Sequence, residues 1–111
     1  MTKLRVLIEI EDKNGNNVHT YILKGKREYI LGRGKKAQIH IDHFSVSKKH
    51  CNLSVSKSGT VTIEDLESSN HTWIGSHEEK LEPGIKKTLK LGRHFKLGSC
   101  SYLVKFVEII D

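Results

Sequence analysis

Cysteine is scarce in this chain: Cys51 and Cys100 are the only two in 111 residues. Two thiols are too few for a disulfide framework, and Cys51 alternates with Leu53 and Val55 as a buried strand residue would, so both are expected to stay reduced. Long hydrophobic runs are missing as well. No stretch approaches the roughly 20 apolar residues that a membrane-spanning helix needs, and Met1-Thr2-Lys3-Leu4 lacks the apolar core of a secretory leader. The expectation is an intracellular protein, of nucleus or cytoplasm, without membrane contact. Aromatic residues are few, with three Phe, three Tyr and one Trp, which leaves little material for stacking on unpaired bases. The seven histidines show no HxxxH pairing and the cysteines no CxxC pairing, so neither a metal nor another cofactor is expected. No nucleophile, base and orienting group stand in a recognisable order, which argues against an enzyme.

What is present suits one soluble domain over residues 1–111, either free-standing or part of a longer protein. Hydrophobic residues make up 36% and charged residues 29%, a balance typical of a folded, water-soluble chain. The net charge of +6 is unevenly placed. Residues 24–50 hold Lys24, Lys26, Arg27, Arg33, Lys35, Lys36, Lys48 and Lys49 against only Glu28 and Asp42, while the remainder carries eleven residues of each sign. The whole excess therefore lies in one quarter of the chain, as a localised anion-binding surface would require. A phosphorylated protein and a nucleic acid both fit that description, and a merely solvated lysine-rich face fits it too.

Alternation dominates the hydrophobic pattern. Leu4, Val6, Ile8 and Ile10 share one parity, Asn14-Gly15-Asn16-Asn17 signals a turn, and residues 18–23 resume the extended pattern, so the segment reads as a hairpin. Further strands are expected over 27–31, 37–41, 50–55, 60–65 and 100–109, with Lys57-Ser58-Gly59 as a turn. No window sustains an apolar stripe of helical period. Short strands without helices to cover a parallel sheet imply an all-β chain folded as two packed antiparallel sheets. In such a sandwich the loops over 32–36, 43–49 and 67–72 are the places for binding residues.

Three motifs stand in those loops. Leu31-Gly32-Arg33-Gly34 ends a strand in an arginine flanked by glycines, which lets the backbone turn sharply and a ligand approach closely. Arginine's planar fork donates two parallel hydrogen bonds to phosphate and keeps its charge. The segment is not a P-loop, because Gly25-Lys26 has no glycine five residues earlier and no hydroxyl residue after the lysine. Fourteen residues on, Ser45-Val46-Ser47-Lys48-Lys49-His50 supplies hydroxyl and ammonium donors, and Asp65-Leu66-Glu67-Ser68-Ser69-Asn70-His71-Thr72-Trp73 forms a third polar loop.

Gly32-Arg33, then Ser47-Lys48-Lys49-His50, then Asp65-Leu66-Glu67-Ser68-Ser69-Asn70-His71-Thr72-Trp73 resembles the pattern of the forkhead-associated (FHA) domain. Leu81-Glu82-Pro83-Gly84, Leu89-Lys90-Leu91-Gly92 and Leu97-Gly98 resemble its closing segment, so the likeness spans nearly the whole chain. The resemblance implies an eleven-stranded sandwich whose loops hold a phosphothreonine peptide, with phosphothreonine-containing proteins in signalling as partners. It implies phosphate contacts for Arg33 and Ser47, a further contact at Ser69, a bond from Asn70 to the peptide backbone, auxiliary phosphate contacts for Lys36 and Lys48, and a scaffold role for His50. Sequence preference would be set near the phosphate, with His43, Phe44, Ser45 and His71 as candidates. Three positions depart from the pattern: His71 stands in place of glycine, Gly75 in place of asparagine and Arg93 in place of aspartate. The first is expected to strain its loop, because glycine alone takes positive φ without penalty. Two rival readings remain beside this one: nucleic-acid binding through residues 24–50, and phosphate-independent contact or self-association through a sheet face. Oligomeric state is not legible.

Overall fold

The computed structural model describes residues 5–11, 16–24, 27–75, 78–99 and 103–110. Eleven strands follow one another: β1 (Arg5–Glu11), β2 (Asn17–Lys24), β3 (Arg27–Gly32), β4 (Ile39–His40), β5 (Cys51–Val55), β6 (Val61–Asp65), β7 (Thr72–Ile74), β8 (Glu79–Lys80), β9 (Lys87–Leu89), β10 (His94–Leu97) and β11 (Leu103–Ile110). They form one six-stranded sheet in the order β2-β1-β11-β10-β7-β8 and one five-stranded sheet in the order β4-β3-β5-β6-β9. The all-β sandwich expected from alternation is thus the observed architecture, with one exception to its antiparallel character. β4 pairs with β3 in parallel, Leu31 opposite Ile39 and Gly32 opposite His40. A connection of six residues achieves this because β4 is only two residues long and needs no crossover helix to reach its place.

Period-two patterning explains which faces meet. Val6, Ile8 and Ile10 of β1 pack inward, as do Cys51, Leu53 and Val55 of β5 and Val61 and Ile63 of β6, around a wholly buried Phe95. Cys51 lies where its alternation placed it, and burial pushes its thiol pKa well above the ordinary range, so it stays a protonated thiol. Cys100 and, of the expected turn at Asn14-Gly15-Asn16-Asn17, Asn14 and Gly15 lie outside the described residues, while Asn17 already begins β2. The turn at Lys57-Ser58-Gly59 is present: Ser56 N donates to Thr60 O at 3.0 Å, and Gly59 takes a φ of 89°. Strand β4 is shorter than the expected 37–41, because residues 34–37 close a turn of their own through Ala37 N to Gly34 O. Among the described residues no helix is long and apolar enough to cross a membrane.

Candidate functional site

The loops after β3, β4, β6 and β10 are joined into one surface by hydrogen bonds. Arg33 N donates to Ser47 O at 3.0 Å, Gly34 N to Lys48 O at 3.1 Å and the Arg33 Nε to Val46 O at 3.0 Å. Glycine at position 32 makes the approach possible, since a Cβ there would stand 2.1 Å from the Lys48 carbonyl oxygen. His40 adds a bond from its Nε2 to Arg33 O at 2.9 Å. Arg33 is therefore fixed at backbone and Nε, and among the described residues nothing binds the two terminal NH2 groups of its exposed guanidinium, which can be offered to an anion.

Ser47 sits beside it, half-buried. Its Oγ accepts from Ser69 N at 3.1 Å, which leaves the hydroxyl proton as a donor toward solvent. Ser69 and Asn70 are exposed, and Asn70 Nδ2 donates to Ser45 O at 2.9 Å, so its amide oxygen remains an acceptor. Lys36 lies in the exposed turn closed by Ala37 N, and Lys48 is exposed at the loop that Gly34 clasps. Of the six residues singled out in the sequence, Arg33, Ser47 and Ser69 are joined through these bonds, Asn70 reaches the same loop through Ser45, and the two lysines flank them.

His50 holds the arrangement from beneath. It is fully buried; its Nδ1 accepts from Ser47 N at 3.0 Å and its Nε2 faces His71 O at 2.7 Å, which makes it the neutral Nε2–H tautomer donating to that carbonyl. Burial lowers its pKa from the ordinary 6.5, the bond to His71 O and the Asp65 charge opposing the shift only in part. Protonation would cost the Ser47 N–H its acceptor. Because the folded pKa lies below the unfolded one, the stabilisation is complete above about pH 6.5 and is lost as pH falls toward the folded value. Unfolding free energies from denaturant titrations between about pH 7.5 and pH 5 are expected to decline by up to about 1.4 kcal/mol per pH unit for this one group. A His50→Gln variant is expected to give the flatter profile, and identical slopes in both proteins would exclude His50 as the cause.

Two supports were not anticipated from the sequence. Asp65 is buried and accepts from Ser68 N at 3.1 Å, from the Ser68 hydroxyl and from Thr72 Oγ1 at 2.6 Å, which fixes both ends of the loop carrying Ser69 and Asn70. The spacing Asp-x-x-Ser-x-x-x-Thr was the available signal. Ser45, one of the candidates for setting sequence preference, is 3% exposed and ties loops together: its O receives the Asn70 Nδ2 and its Oγ receives Ser99 N at 3.1 Å. The expected departure at His71 is real, with a φ of 70°, and the strain is held by two bonds to its carbonyl, from His50 Nε2 and from Gly98 N at 2.8 Å. Arg93 pairs with Glu78 at 3.2 Å, away from the loops above.

A sequence profile of the FHA domain matches residues 29–98, well over half of the chain. The chain belongs to the FHA family. Solved structures of similar shape agree, while no curated protein matches it in sequence. The FHA domain of a Chlamydia trachomatis protein superposes with a TM-score of 0.80 at 25% identity, covering 94% of this chain and 97% of that one. The FHA domain of an Arabidopsis thaliana hypothetical protein is 30% identical, with a TM-score of 0.70 over 96% and 86% of the two chains. An FHA domain from a study of phosphothreonine-dependent FHA interactions is 24% identical, with a TM-score of 0.73 over 94% and 98%. The profile begins within β3, so the β1–β2 pair lies outside it and inside the structural likeness.

Proposed function

We propose that this FHA domain, over the whole of residues 1–111, is a phosphothreonine-dependent protein interaction module and not an enzyme. It would act within the nucleus or cytoplasm on phosphorylated signalling partners. The observation that carries the reading is the pairing of Arg33 and Ser47: a charged fork with free terminal donors and a hydroxyl with a free proton, on two loops joined by main-chain bonds. A phosphothreonine carries about −1.5 to −2 charge and three acceptor oxygens, which these groups match in number and sign. Ser69 would add a donor, Asn70 would take up the peptide backbone, and Lys36 and Lys48 would strengthen the local field. The phosphothreonine-dependent behaviour described for a relative of the same fold points the same way.

Paired peptides, identical but for one phosphate, decide the matter by titration calorimetry. The phosphothreonine member is expected to bind and its unphosphorylated twin to fail. Equal binding of both would favour contact through a sheet face instead. Preference for duplex or single-stranded DNA, with a steep loss of affinity between 50 and 200 mM salt, would favour the nucleic-acid reading.

A further inference from the structure

Phe44 is 86% exposed, the most exposed large hydrophobic side chain among the described residues, although its neighbours Ser45 and Val46 are 3% and 1% exposed. The contrast comes from a tight turn: Val46 N donates to His43 O at 3.0 Å, which puts Phe44 and Ser45 at the two central positions. His43 reinforces it. Its Nδ1 accepts from Ser45 N at 3.1 Å and from the Ser45 hydroxyl at 2.8 Å, much as an asparagine side chain closes a turn on the residue two places on. One face of the Phe44 ring is stacked on that fixed imidazole, with centroids 4.5 Å apart and planes 25° apart. A polar residue or proline would serve the same turn position equally well, so nothing in the fold calls for an exposed phenyl group there.

The turn is wired to both halves of the candidate site. Val46 O holds the Arg33 Nε and Ser45 O holds the Asn70 amide, so Phe44 is projected from the position immediately before the two carbonyls that hold those side chains. We infer that the His43–Phe44 stack is an aromatic platform that selects an apolar side chain flanking the phosphothreonine of the bound peptide. Apolar chemistry follows from the surroundings. Arg33, Lys35, Lys36, Lys48 and Lys49 are all exposed, and none takes part in the ion pairs found among the described residues, so a cationic peptide side chain would be repelled. An acidic one would be served by the lysines and not by the electron-rich face of a phenyl ring. This inference rests on the phosphothreonine reading of the site.

The test is an oriented peptide library with a fixed central phosphothreonine, screened on wild type, Phe44→Ala and Phe44→Leu. Wild type is expected to enrich aliphatic or aromatic residues at one flanking position and to prefer the matched peptide over its serine counterpart about tenfold. The ratio should fall to near one in Phe44→Ala and lie between in Phe44→Leu, with melting temperatures close to wild type because the ring is exposed. Absence of apolar enrichment, or its persistence in Phe44→Ala, overturns the platform while leaving phosphate-dependent binding standing. If wild type binds phosphorylated and unphosphorylated peptides alike, the phosphothreonine reading fails, and the platform is then judged by the same apolar ratio on the unphosphorylated set. If wild type captures no peptide, both fall.

Discussion

Arg33→Ala is expected to weaken phosphopeptide binding by about 2 to 5 kcal/mol, roughly 30-fold or more in affinity, with the domain still folded. The magnitude follows from what remains: the phosphate keeps neutral donors such as the Ser47 hydroxyl but loses its fixed, forked cation. The fold survives because the Arg33 side chain is exposed, and among the described residues its guanidinium makes a single bond, from Nε to Val46 O. Arg33→Lys separates charge from geometry. A lysine restores the charge without the fork or the Nε bond, so its affinity should lie between the two. Calorimetric titration with one phosphopeptide across the three proteins, alongside thermal melts, reads both quantities. A folded Arg33→Ala domain that binds at wild-type strength would refute the assignment of this residue.

Gly32→Ala is expected to be the most damaging single methyl group in the site, costing about 3 kcal/mol or more of stability. Its Cβ would stand 2.1 Å from Lys48 O and 2.8 Å from Ser47 O, both main-chain atoms that cannot rotate away. Relief requires the loops after β3 and β4 to separate, which breaks Arg33 N to Ser47 O and Gly34 N to Lys48 O. Gly92→Ala is the informative comparison. Position 92 has a φ of 83° but nothing within 4 Å of a new Cβ, so only backbone strain of about 1 kcal/mol applies. Melting temperatures are expected to fall by at least about 10 °C for the first and a few degrees for the second. Similar losses in the two variants would mean that crowding against the Lys48 carbonyl is not what makes position 32 intolerant.

The legible part of this fold was whatever period-two alternation could carry. Val6, Ile8 and Ile10, or Cys51, Leu53 and Val55, announce their strands and their inward faces by alternation alone. β7, β8 and β9 do not, because strands of two or three residues are too short to display a period, and their places depend on pairing with neighbours. The positions of Arg33 and Ser47 in their loops were readable because glycine spacing and residue chemistry are local. The role of Ser45 was not. Its near-complete burial depends on Asn70 and Ser99, residues 25 and 54 positions away, and no local pattern distinguishes a serine that ties loops together from one that faces a ligand. His71 illustrates the converse. Its unusual φ could be anticipated from the sequence, whereas the two donors that hold its carbonyl come from β10's end and from His50.

The acceptors that join the Arg33 loop to the next one are the carbonyls of Val46, Ser47 and Lys48. Every amino acid carries that group. The side chains at 44, 48 and 49 can therefore be exchanged without loosening the clasp, so that charge and apolar character on the outer surface are free to drift while the grip stays rigid. A domain built this way can change partners by substitution at the loop crest alone, and its descendants can share a frame while reading different peptides.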